Sequence, residues 1–576
     1  MSRVCVCVCV CVCVCVCKPA TPVPDQNHLA TALTQQVSAR KHGVAVMGGF
    51  KAVEDRPTPK EVYNWKLYIE AAIIATGSFL FGYDSAFIGT TIARNSFKRD
   101  FGINAGNSNN ISSNITSAFQ AGALGGAVLC FFITERLGRK WTLQANVVIF
   151  IVGAILMTVA TDQLSFIYAG RALTGVGCGG ITATVPSYIG ELSIPSIRGI
   201  LTGLFEVAYQ IGSVIGFWIN YGITQTIDPD LPVSWRVPMA FQLVPAGILF
   251  AGCFFIHESP LWLLRQNRTE RAHKVLEGLR GLPIDHKYMQ EELDMFQKKI
   301  DEERAVSAQY GTGQWAYLRG VANMLARKGM WNRLVLVFCA FALNNLSGAA
   351  AINYYSPTLF KSIGITDVSL YTGIYGLIKA IASVVYFVFL IDVLGRRWPA
   401  IVSSFICSLC LWVVGTYVKV GHPADIIAAG QELSASTAAG GKAATGMIMI
   451  YSVCWSFGLN GIPWIVSAEI FPGALRNFTG TYAALVVWAT QFAVTKAMPY
   501  IFSSFGYGTW FFFAAWMIVA TAWAYFFLPE TKGLTMDQMD VIFGYAEDAR
   551  PEPSAKFVDA PFDDNKANSS EHTEVV

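Results

Sequence analysis

The sequence predicts an all-α membrane protein with twelve transmembrane helices in two pseudo-symmetric six-helix halves. Of its 576 residues, 53% are hydrophobic and 14% are charged, and the mean hydropathy is +0.43. A soluble chain is nearer one quarter charged. Apolar runs of about 20 residues, each long enough to cross a bilayer as a helix, recur along the chain. Polar motifs that follow the runs of the first half recur in matched order in the second half.

Residues 1–46 are predicted to be low-complexity and disordered. Valine and cysteine alternate strictly from Cys5 to Cys17. Such a tract can serve as a metal-binding or thiol-rich tail, but a translated GT dinucleotide repeat encodes the same alternation. The segment also lacks the layout of a signal peptide. We interpret it as a gene-model artefact and predict that translation starts at Met47, with residues 47–66 forming a short cytoplasmic lead.

The first half, residues 67–256, contains six predicted spans. A polar stretch after span 1 holds two glycosylation triplets, at Asn110 and Asn114, which are a weak signal. The turn TERLGRK separates spans 2 and 3. The six apolar runs lie near residues 67–90, 115–133, 141–160, 166–190, 200–221 and 237–256.

Residues 257–330 form the one long polar interval. Leu and Phe recur in it at helical spacing among mixed charges, which favours amphipathic helices on the membrane surface over a flexible linker. The second half, residues 331–528, contains six more spans, and the polar tail 529–576 is predicted to be disordered towards its end. The six runs lie near residues 331–357, 370–391, 398–419, 445–468, 479–502 and 509–528.

Three motif pairs indicate an internal duplication. TERLGRK after span 2 matches IDVLGRR after span 8, GELSIPSIRG after span 4 matches SAEIFPGALRNFTG after span 10, and HESPLW after span 6 matches FLPETKG after span 12. This architecture places a substrate near the bilayer midplane, between halves that rock for alternating access. These motifs, the interval 257–330 and the C-terminal tail fall on one side of the membrane and together carry most of the loop Lys and Arg, so the positive-inside rule predicts that both termini are cytoplasmic.

The chain resembles the sugar porter family of the major facilitator superfamily over nearly all of residues 61–540. The likeness rests on GYDSAFIG, ERLGRK, GRALTG, PSYIGELSIPSIRG, HESPLWL, NYYSPTLF, DVLGRR, GIPWIVSAEIFP and PETKG, in that order. Within the family it is most similar to the fungal quinate permeases, through VEDRPTPKEVYNWK, GFWINYG and NYYSPTLFKSIG. The resemblance implies a plasma-membrane transporter rather than an enzyme.

Asp84 in span 1 and Arg171 in span 4 are ionisable groups inside apolar runs, where a charge usually faces a partner or a water-filled cavity. Either could belong to a static ion pair. In proton-coupled sugar porters the matching residues control proton coupling, so the resemblance implies that Asp84 takes up and releases the proton.

Glu206 in span 5 departs from the family pattern, which usually has Gln there. A carboxylate accepts hydrogen bonds but does not donate them unless protonated. Glu206 is then either a hydroxyl acceptor that tolerates the exchange, or a sign of a different polyol substrate or of a second protonatable group. Both interpretations remain open.

Further substrate-binding candidates follow from the resemblance. Asn344 and Asn345 in span 7 replace the family's two Gln, and Ala350 replaces an Asn, which argues against a hexose as substrate because unpaired sugar hydroxyls are costly. Trp464 in span 10 and Trp488 in span 11 match pocket aromatics that stack on apolar ring faces. Gln491 and Asn460 are weaker candidates.

Two lysines also lie in predicted spans. Lys379 is well inside span 8, whereas Lys496 is near the end of span 11. Either ammonium could neutralise a substrate carboxylate or could instead reach the membrane interface.

The gating candidates comprise two outer-gate tyrosines, Tyr354 and Tyr355, and a set of charged residues at cytoplasmic span ends. The charged residues are predicted to form inter-helix networks that hold the outward-facing state. They are Glu135, Arg136, Arg139, Glu191, Arg198, Asp392, Arg396, Arg397, Glu469 and Arg476.

Together these features predict a monomeric proton symporter that imports a small polyhydroxylated solute, most closely quinate. The alternatives are a hexose or polyol proton symporter and a transporter-like nutrient sensor. The predicted partners are the solute, protons and the lipid bilayer, without nucleic acid. We expect no metal and no cofactor, with the proton gradient as the driving force, since no phosphate-binding loop is present in the sequence.

Overall fold

A computed structural model of the chain describes residues 46–47, 50–51, 58–307, 314–326, 328–365, 367–471, 475–532, 539 and 542–543. Residues 1–45 and 544–576, which include most of the predicted disordered segments, lie outside that part. Two short strands, β1 (Val46–Met47) and β2 (Phe50–Lys51), pair antiparallel around the predicted start residue. Everything else of regular structure is helical.

Six spans form the first half. Each begins two to seven residues before the predicted apolar run, because polar residues at the span starts belong to the helices, whereas spans 3 and 6 end two and four residues before their runs do. Span 6 is interrupted at Gln242. Their bounds are Trp65–Ile92 (span 1), Ser108–Leu137 (span 2), Arg139–Thr158 (span 3), Leu164–Leu192 (span 4), Arg198–Thr226 (span 5), and Val233–Phe241 with Leu243–Gly252 (span 6).

Shorter helices connect these spans and fill the polar interval. Lys60–Val62 and Pro195–Ile197 are 3₁₀ turns, and Asn95–Asp100 follows span 1. The interval contains four helices, α1 (Pro260–Arg265), α2 (Thr269–Arg280), α3 (Lys287–Ser307) and α4 (Gln314–Leu325).

The second half repeats the six-span pattern, with two spans broken in mid-membrane. A short helix, Pro423–Ala428, follows span 9. The bounds are Lys328–Asn345 with Ala349–Ser362 (span 7), Val368–Val385 continuing through a π-helical turn Tyr386–Leu390 to Ile391–Leu394 (span 8), Arg397–Gly421 (span 9), Ala435–Phe457 with Ile462–Glu469 (span 10), Arg476–Phe505 (span 11) and Gly508–Phe527 (span 12).

Ten of the helical segments are long and apolar enough to cross a membrane by length and composition. Spans 4 and 11 complete the set of twelve, at 29 and 30 residues. Both are diluted by glycine, threonine or other polar residues, which lowers their hydropathy without shortening the helix. The all-α class with two six-span halves is as predicted.

Close helix packing in the first half depends on glycine. A Cβ added to Gly175 or Gly179 of span 4 would collide with the backbone carbonyls of Phe119 and Ala123 in span 2. Small residues allow this approach in membrane proteins, where apolar burial alone does not drive helices together. The glycines that make span 4 weakly hydrophobic are therefore the residues that seat it against span 2.

Candidate transport site

The Asp84 and Arg171 side chains form a fully buried ion pair between spans 1 and 4. Arg171 Nη1 donates to Asp84 Oδ1 at 2.6 Å, and neither side chain is exposed. Asp84 lies eight residues before the end of span 1 and Arg171 seven residues after the start of span 4. At 1.5 Å per residue, Asp84 is about 12 Å from the C-terminal end of span 1 and Arg171 about 10 Å from the N-terminal end of span 4.

Span 2 completes the surroundings of this pair. Arg171 Nε donates to the Ile115 carbonyl at 3.2 Å, and its guanidinium carbon lies 4.5 Å from the Phe119 ring centroid. Asp84 Oδ2 and Arg171 Nη2 are buried and have no hydrogen-bond partner in the part of the chain that the structure describes. An unsatisfied buried charge is costly, so the pair retains bonding capacity for a proton, water or substrate group.

Glu206 accepts two hydrogen bonds, one from its own helix and one from the other half. Gln210, one turn later in span 5, donates from Nε2 at 2.6 Å. Asn460, in the break of span 10, donates from Nδ2 at 2.8 Å and also contacts Ser383 Oγ of span 8 at 3.2 Å. Both donors are neutral amides, so the carboxylate can also accept a hydroxyl donor.

Lys379 of span 8 is fully buried and surrounded by aromatic rings. Its ammonium lies 5.6, 5.8 and 6.0 Å from the ring centroids of Tyr209, Trp455 and Tyr375. Its one hydrogen bond among the described residues goes to Asn353 Oδ1 at 3.3 Å, and no carboxylate of that part lies within 4.0 Å of the ammonium. Cation–π contacts stabilise this charge only in part.

Tyr209 lies between Ser85, the neighbour of Asp84, and the ammonium of Lys379. It was not among the residues predicted from the sequence. Its hydroxyl is 3.2 Å from Ser85 Oγ, beside Asp84, while its ring faces Lys379. Glu206, Tyr209 and Gln210 occupy one face of span 5 at i, i+3 and i+4 spacing. That spacing from Glu206 was the available signal, but a tyrosine in a span is usually a packing residue.

The breaks in spans 7 and 10 position the predicted amides. Span 7 is interrupted at residues 346–348, where Gly348 has a φ of +94°, and span 10 at residues 458–461. The amide of Asn344 donates to the Leu459 carbonyl that the second break releases. Irregular backbone in a membrane needs such partners and typically lines a substrate site.

Asn345 points elsewhere. Its Nδ2 donates to Thr490 Oγ1 of span 11 at 2.8 Å and to the Phe341 carbonyl at 3.1 Å. Its amide nitrogen is therefore engaged by spans 7 and 11, in contrast to Asn344 at the break. Adjacent helical residues point about 100° apart, so one span seldom presents both to one ligand.

The two predicted tryptophans differ in how deeply they are buried in the protein. Trp488 is 1% exposed, donates to Thr182 Oγ1 of span 4 at 3.3 Å, and has its ring 5.0 Å from that of Phe81. Trp464, in the second piece of span 10, is half-buried with its ring 4.9 Å from Phe341. Gln491 Nε2 is 3.4 Å from the hydroxyl of Tyr354.

The two halves contact each other at the end of the molecule where spans 7 and 8 are connected. We call this the opposite end, because it lies across the molecule from the charged clusters described below. Tyr355 Oη is 2.6 Å from Thr116 Oγ1 of span 2 and donates to the Thr495 carbonyl at 2.9 Å. Tyr354 belongs to the hydrophobic core of the first half. Lys496 Nζ donates to Oδ1 of Asn114, which is one of the two predicted glycosylation residues.

The first charged cluster, which we call the N-cluster, lies at the other end, the charged end. Arg139 Nη2 bonds Glu191 at 2.9 Å and Glu135 at 3.3 Å. Glu258 accepts the Arg139 backbone N–H at 2.8 Å, and the hydroxyl of Ser259 donates to Glu191. The loops after spans 2 and 6 are thus tied to the end of span 4.

The second cluster, the C-cluster, has the same design. Arg396 Nη2 bonds Glu469 at 2.9 Å, Glu530 accepts the Arg396 backbone N–H at 2.9 Å, and the hydroxyl of Thr531 donates to Glu469. Arg397 continues the pattern through its own backbone N–H, 3.1 Å from Glu530. The matched contacts have the geometry expected of an internal duplication.

The remaining gating candidates are Arg136, Arg198, Asp392 and Arg476. Arg136 is exposed in the last turn of span 2, and Arg198 begins span 5. Asp392 and Arg476 have side chains that lie outside the described residues.

Comparison with known proteins identifies this architecture. A sequence profile described as sugar (and other) transporter matches residues 71–543. The chain belongs to the sugar transporter family. It is 42% identical over 499 residues to a probable quinate permease of Neosartorya fischeri, covering 85% of this chain and 90% of that protein. It is 40% identical over 496 residues to the quinate permease of Emericella nidulans, covering 85% and 91%.

Solved structures of transporters have the same fold. The partially occluded inward open conformation of the xylose transporter XylE from E. coli superposes with a TM-score of 0.66 at 20% identity, over 82% of this chain and all of that one. The proton:xylose symporter XylE bound to 6-bromo-6-deoxy-D-glucose gives 0.65 at 20% identity, over 83% of this chain and 99% of that one. The family profile and the permease relatives make the protein a transporter rather than an enzyme, and the solved structures show that it has the fold of such transporters.

Proposed function

We propose that the protein imports quinate together with protons by alternating access. Quinate is a ring carboxylate with several hydroxyls, and the curated relatives named above are quinate permeases. The observation that carries the proposal is Lys379, a buried ammonium between aromatic rings with no carboxylate of the described residues within 4.0 Å. Burial of an unpaired charge is unfavourable, and a substrate carboxylate would supply the missing counter-ion.

The remaining groups suit the rest of such a substrate. Glu206 accepts hydroxyl donors, while the amides of Gln210 and Asn460 beside it can turn towards hydroxyl oxygens. The substrate carboxylate is directed to Lys379 because Glu206 would repel it. A hexose or polyol would use the same hydroxyl partners but would leave Lys379 without a carboxylate at ion-pair distance among the described residues.

We assign the proton to the Asp84–Arg171 pair. Tyr209 lies between the two sites, because its hydroxyl is 3.2 Å from Oγ of Ser85, the residue after Asp84, and its ring belongs to the cage around Lys379. In this proposal, arrival of a carboxylate at Lys379 alters Tyr209 and thereby favours one protonation state of Asp84. The proton gradient is the sole energy source, and the transporter works as a monomer.

We further propose that the charged end faces the cytoplasm of a plasma-membrane transporter, with both termini inside. The basic residues of that end support this orientation by the positive-inside rule. The described conformation, with Tyr355 bridging spans 2, 7 and 11 at the opposite end, is then one closed to the exterior.

Uptake of labelled quinate and labelled glucose into transporter-deficient yeast, with and without a protonophore, tests the function. We expect protonophore-sensitive quinate accumulation that excess glucose does not compete. Glucose uptake that quinate cannot compete would reject quinate in favour of a hexose or polyol proton symporter. A growth response without uptake of either solute would indicate a nutrient sensor.

Lys379→Met tests the carboxylate site. We expect the KM for quinate to rise at least tenfold, since losing one partner of a buried charge pair costs about 2–5 kcal/mol. Lys419→Met is the matched control, because Lys419 also lies over an aromatic ring, that of Tyr507 at 5.7 Å, but is exposed. Equal KM values for the two variants at equal surface expression would refute the assignment.

Asp84→Asn tests the proton coupling. An amide keeps the hydrogen-bonding shape but cannot release a proton. We expect uphill accumulation to be lost while exchange of internal for external quinate continues. Retained accumulation would contradict the role of Asp84.

A further inference from the structure

A cavity of 450 Å³ opens at the charged end, outside the transport site. Its walls are the last turn of span 2, the first turn of span 3, and the interval helices α1 and α2. We call it the basic cleft, because four cations line it. They are Arg136, Arg268, Arg271 and Lys274.

These four side chains are exposed, and none has an ion pair within the described part of the chain. Arg268 lies over the Trp262 ring at 5.5 Å, which holds its guanidinium at the cleft wall. The single carboxylate in the lining is Glu258. Its oxygens accept the backbone N–H groups of Arg139 and Lys140, and its one negative charge against four cations leaves the lining with a net positive charge.

Apolar side chains form the remaining wall and continue onto the membrane-facing surface. Leu137 and Trp141, both in the lining, are 49% and 55% exposed. Ile133, one turn before Leu137, is 39% exposed, and Phe254 and Phe255 at the end of span 6 are 55% and 79% exposed. Tryptophan at a span end marks the interfacial region where lipid headgroups meet acyl chains.

We propose that the basic cleft binds the headgroup of a phosphoinositide, with the acyl chains against the exposed apolar residues of spans 2, 3 and 6. Four converging cations match a headgroup with more than one phosphate better than a singly charged one. The adjoining apolar surface selects a lipid over a free phosphate. The inference rests on the proposed cytoplasmic orientation of the charged end and is independent of quinate as substrate.

A bound lipid headgroup would also lie next to the N-cluster, which is predicted to take part in gating. Arg136 follows Glu135 of the N-cluster, and Glu258 belongs to both the cleft wall and that cluster. A headgroup held by α2 and span 2 therefore stabilises the cluster in the conformation described. We expect phosphoinositide to change the transport rate as well as to bind.

The test measures binding to the purified full-length protein in phosphatidylcholine nanodiscs. Fluorescent phosphatidylinositol bisphosphate is the probe, with phosphatidylserine, inositol trisphosphate and inorganic phosphate as competitors. We expect the bisphosphate lipid to bind at least tenfold more tightly than phosphatidylserine or either soluble anion. Inositol trisphosphate binding as tightly as the intact lipid would overturn the lipid assignment in favour of a soluble phosphate ligand.

The variant Arg268→Gln/Arg271→Gln/Lys274→Gln removes three cations of the cleft. Each cation near a membrane surface contributes about fivefold in affinity, so we expect a loss of about 100-fold. The matched control is Lys287→Gln/Lys298→Gln/Arg319→Gln, which removes three exposed interval cations outside the cleft. Equal affinities for the two triple variants would overturn the proposal. The nanodisc measurement needs no transport, so its outcome is separate from that of the uptake assay.

Discussion

The N-cluster and the C-cluster share three matched hydrogen bonds but differ in burial. In the N-cluster the Arg139 side chain is 2% exposed and its partner Glu191 is 6% exposed. In the C-cluster Arg396 and Glu469 are 10% and 29% exposed. In both clusters a glycine with positive φ precedes the arginine, and the backbone N–H of that arginine donates to a glutamate, Glu258 or Glu530. Duplication has thus kept the geometry while the surroundings, and with them the energies, have diverged.

The largest difference is expected from removing each cluster's arginine. Arg139→Gln leaves Glu191 buried without its guanidinium, which costs about 3–5 kcal/mol. Arg396→Gln leaves a carboxylate that water can reach in part, at about 1–3 kcal/mol. Thermal unfolding followed by a thiol-reactive dye can compare them, since buried free cysteines such as Cys178 and Cys407 lie in both halves. Equal decreases in Tm would show that burial does not distinguish the clusters.

The glycine preceding each arginine should give equal effects in the two halves. Gly138 and Gly395 have φ of +90° and +78°, and a Cβ would collide with the carboxylates of Glu258 and Glu530. We expect Ala at either position to cost about 1–3 kcal/mol from the backbone alone. Gly247→Ala is the control, since a Cβ there meets nothing within 4 Å. A clearly larger loss at one cluster glycine would mean that the two turns are not equivalent.

Much of this comparison could be predicted from the sequence. Span lengths follow from apolar runs, and the cluster residues Glu191, Arg139, Arg396 and Glu469 follow from repeated motifs. The breaks in spans 7 and 10 could not, because hydropathy runs through them and Gly348 is one glycine of 51.

The transport site was harder to predict for a related reason. Tyr209 and Asn353 become candidates for the site only because the structure places them against the ammonium of Lys379. Which of Asn344 and Asn345 faces the span 10 break depends on helix rotation, which packing sets. Sequence indicates that a polar residue lies in a span, while the contacts decide what it meets.

A smaller effect is expected where the N-cluster alone extends into the interval. Arg265 of α1 bonds Glu135 at 3.2 Å and Glu303 of α3 at 2.7 Å. Arg265→Gln should cost about 1–3 kcal/mol, because the side chains of Arg265 and Glu303 are only 10% and 14% exposed, but the loss should be confined to the attachment of α3. Hydrogen exchange should increase in α3 and stay unchanged in span 10. The control is Arg304→Gln, whose pair with Asp301 on α3 is exposed and 3.8 Å long. Unchanged exchange in α3 would exclude Arg265 as its tether.

The smallest effect concerns pH and distinguishes the two halves. In the alignment of the repeated motifs, HESP of the first half matches PETK of the second, so that His257 corresponds to Pro529. His257 Nδ1 lies 2.6 Å from Glu70 Oε1, and its backbone N–H donates to Glu70 Oε2 at 3.1 Å. The hydrogen bond to Glu70 raises the pKa of His257 above its ordinary 6.5, against partial burial and the nearby Lys140 and Lys66.

Because the folded pKa of His257 exceeds the unfolded value, the protonated ring favours the folded state. That stabilisation is complete below about pH 6.5 and is lost as the pH rises through the folded pKa. We therefore expect the Tm of the wild type to decrease between pH 6.5 and 8.5 by more than that of His257→Gln, with the two proteins converging at the alkaline end. The side chain is 45% exposed, so solvent screening keeps the difference small. Parallel Tm profiles would mean that His257 carries no proton-linked stability.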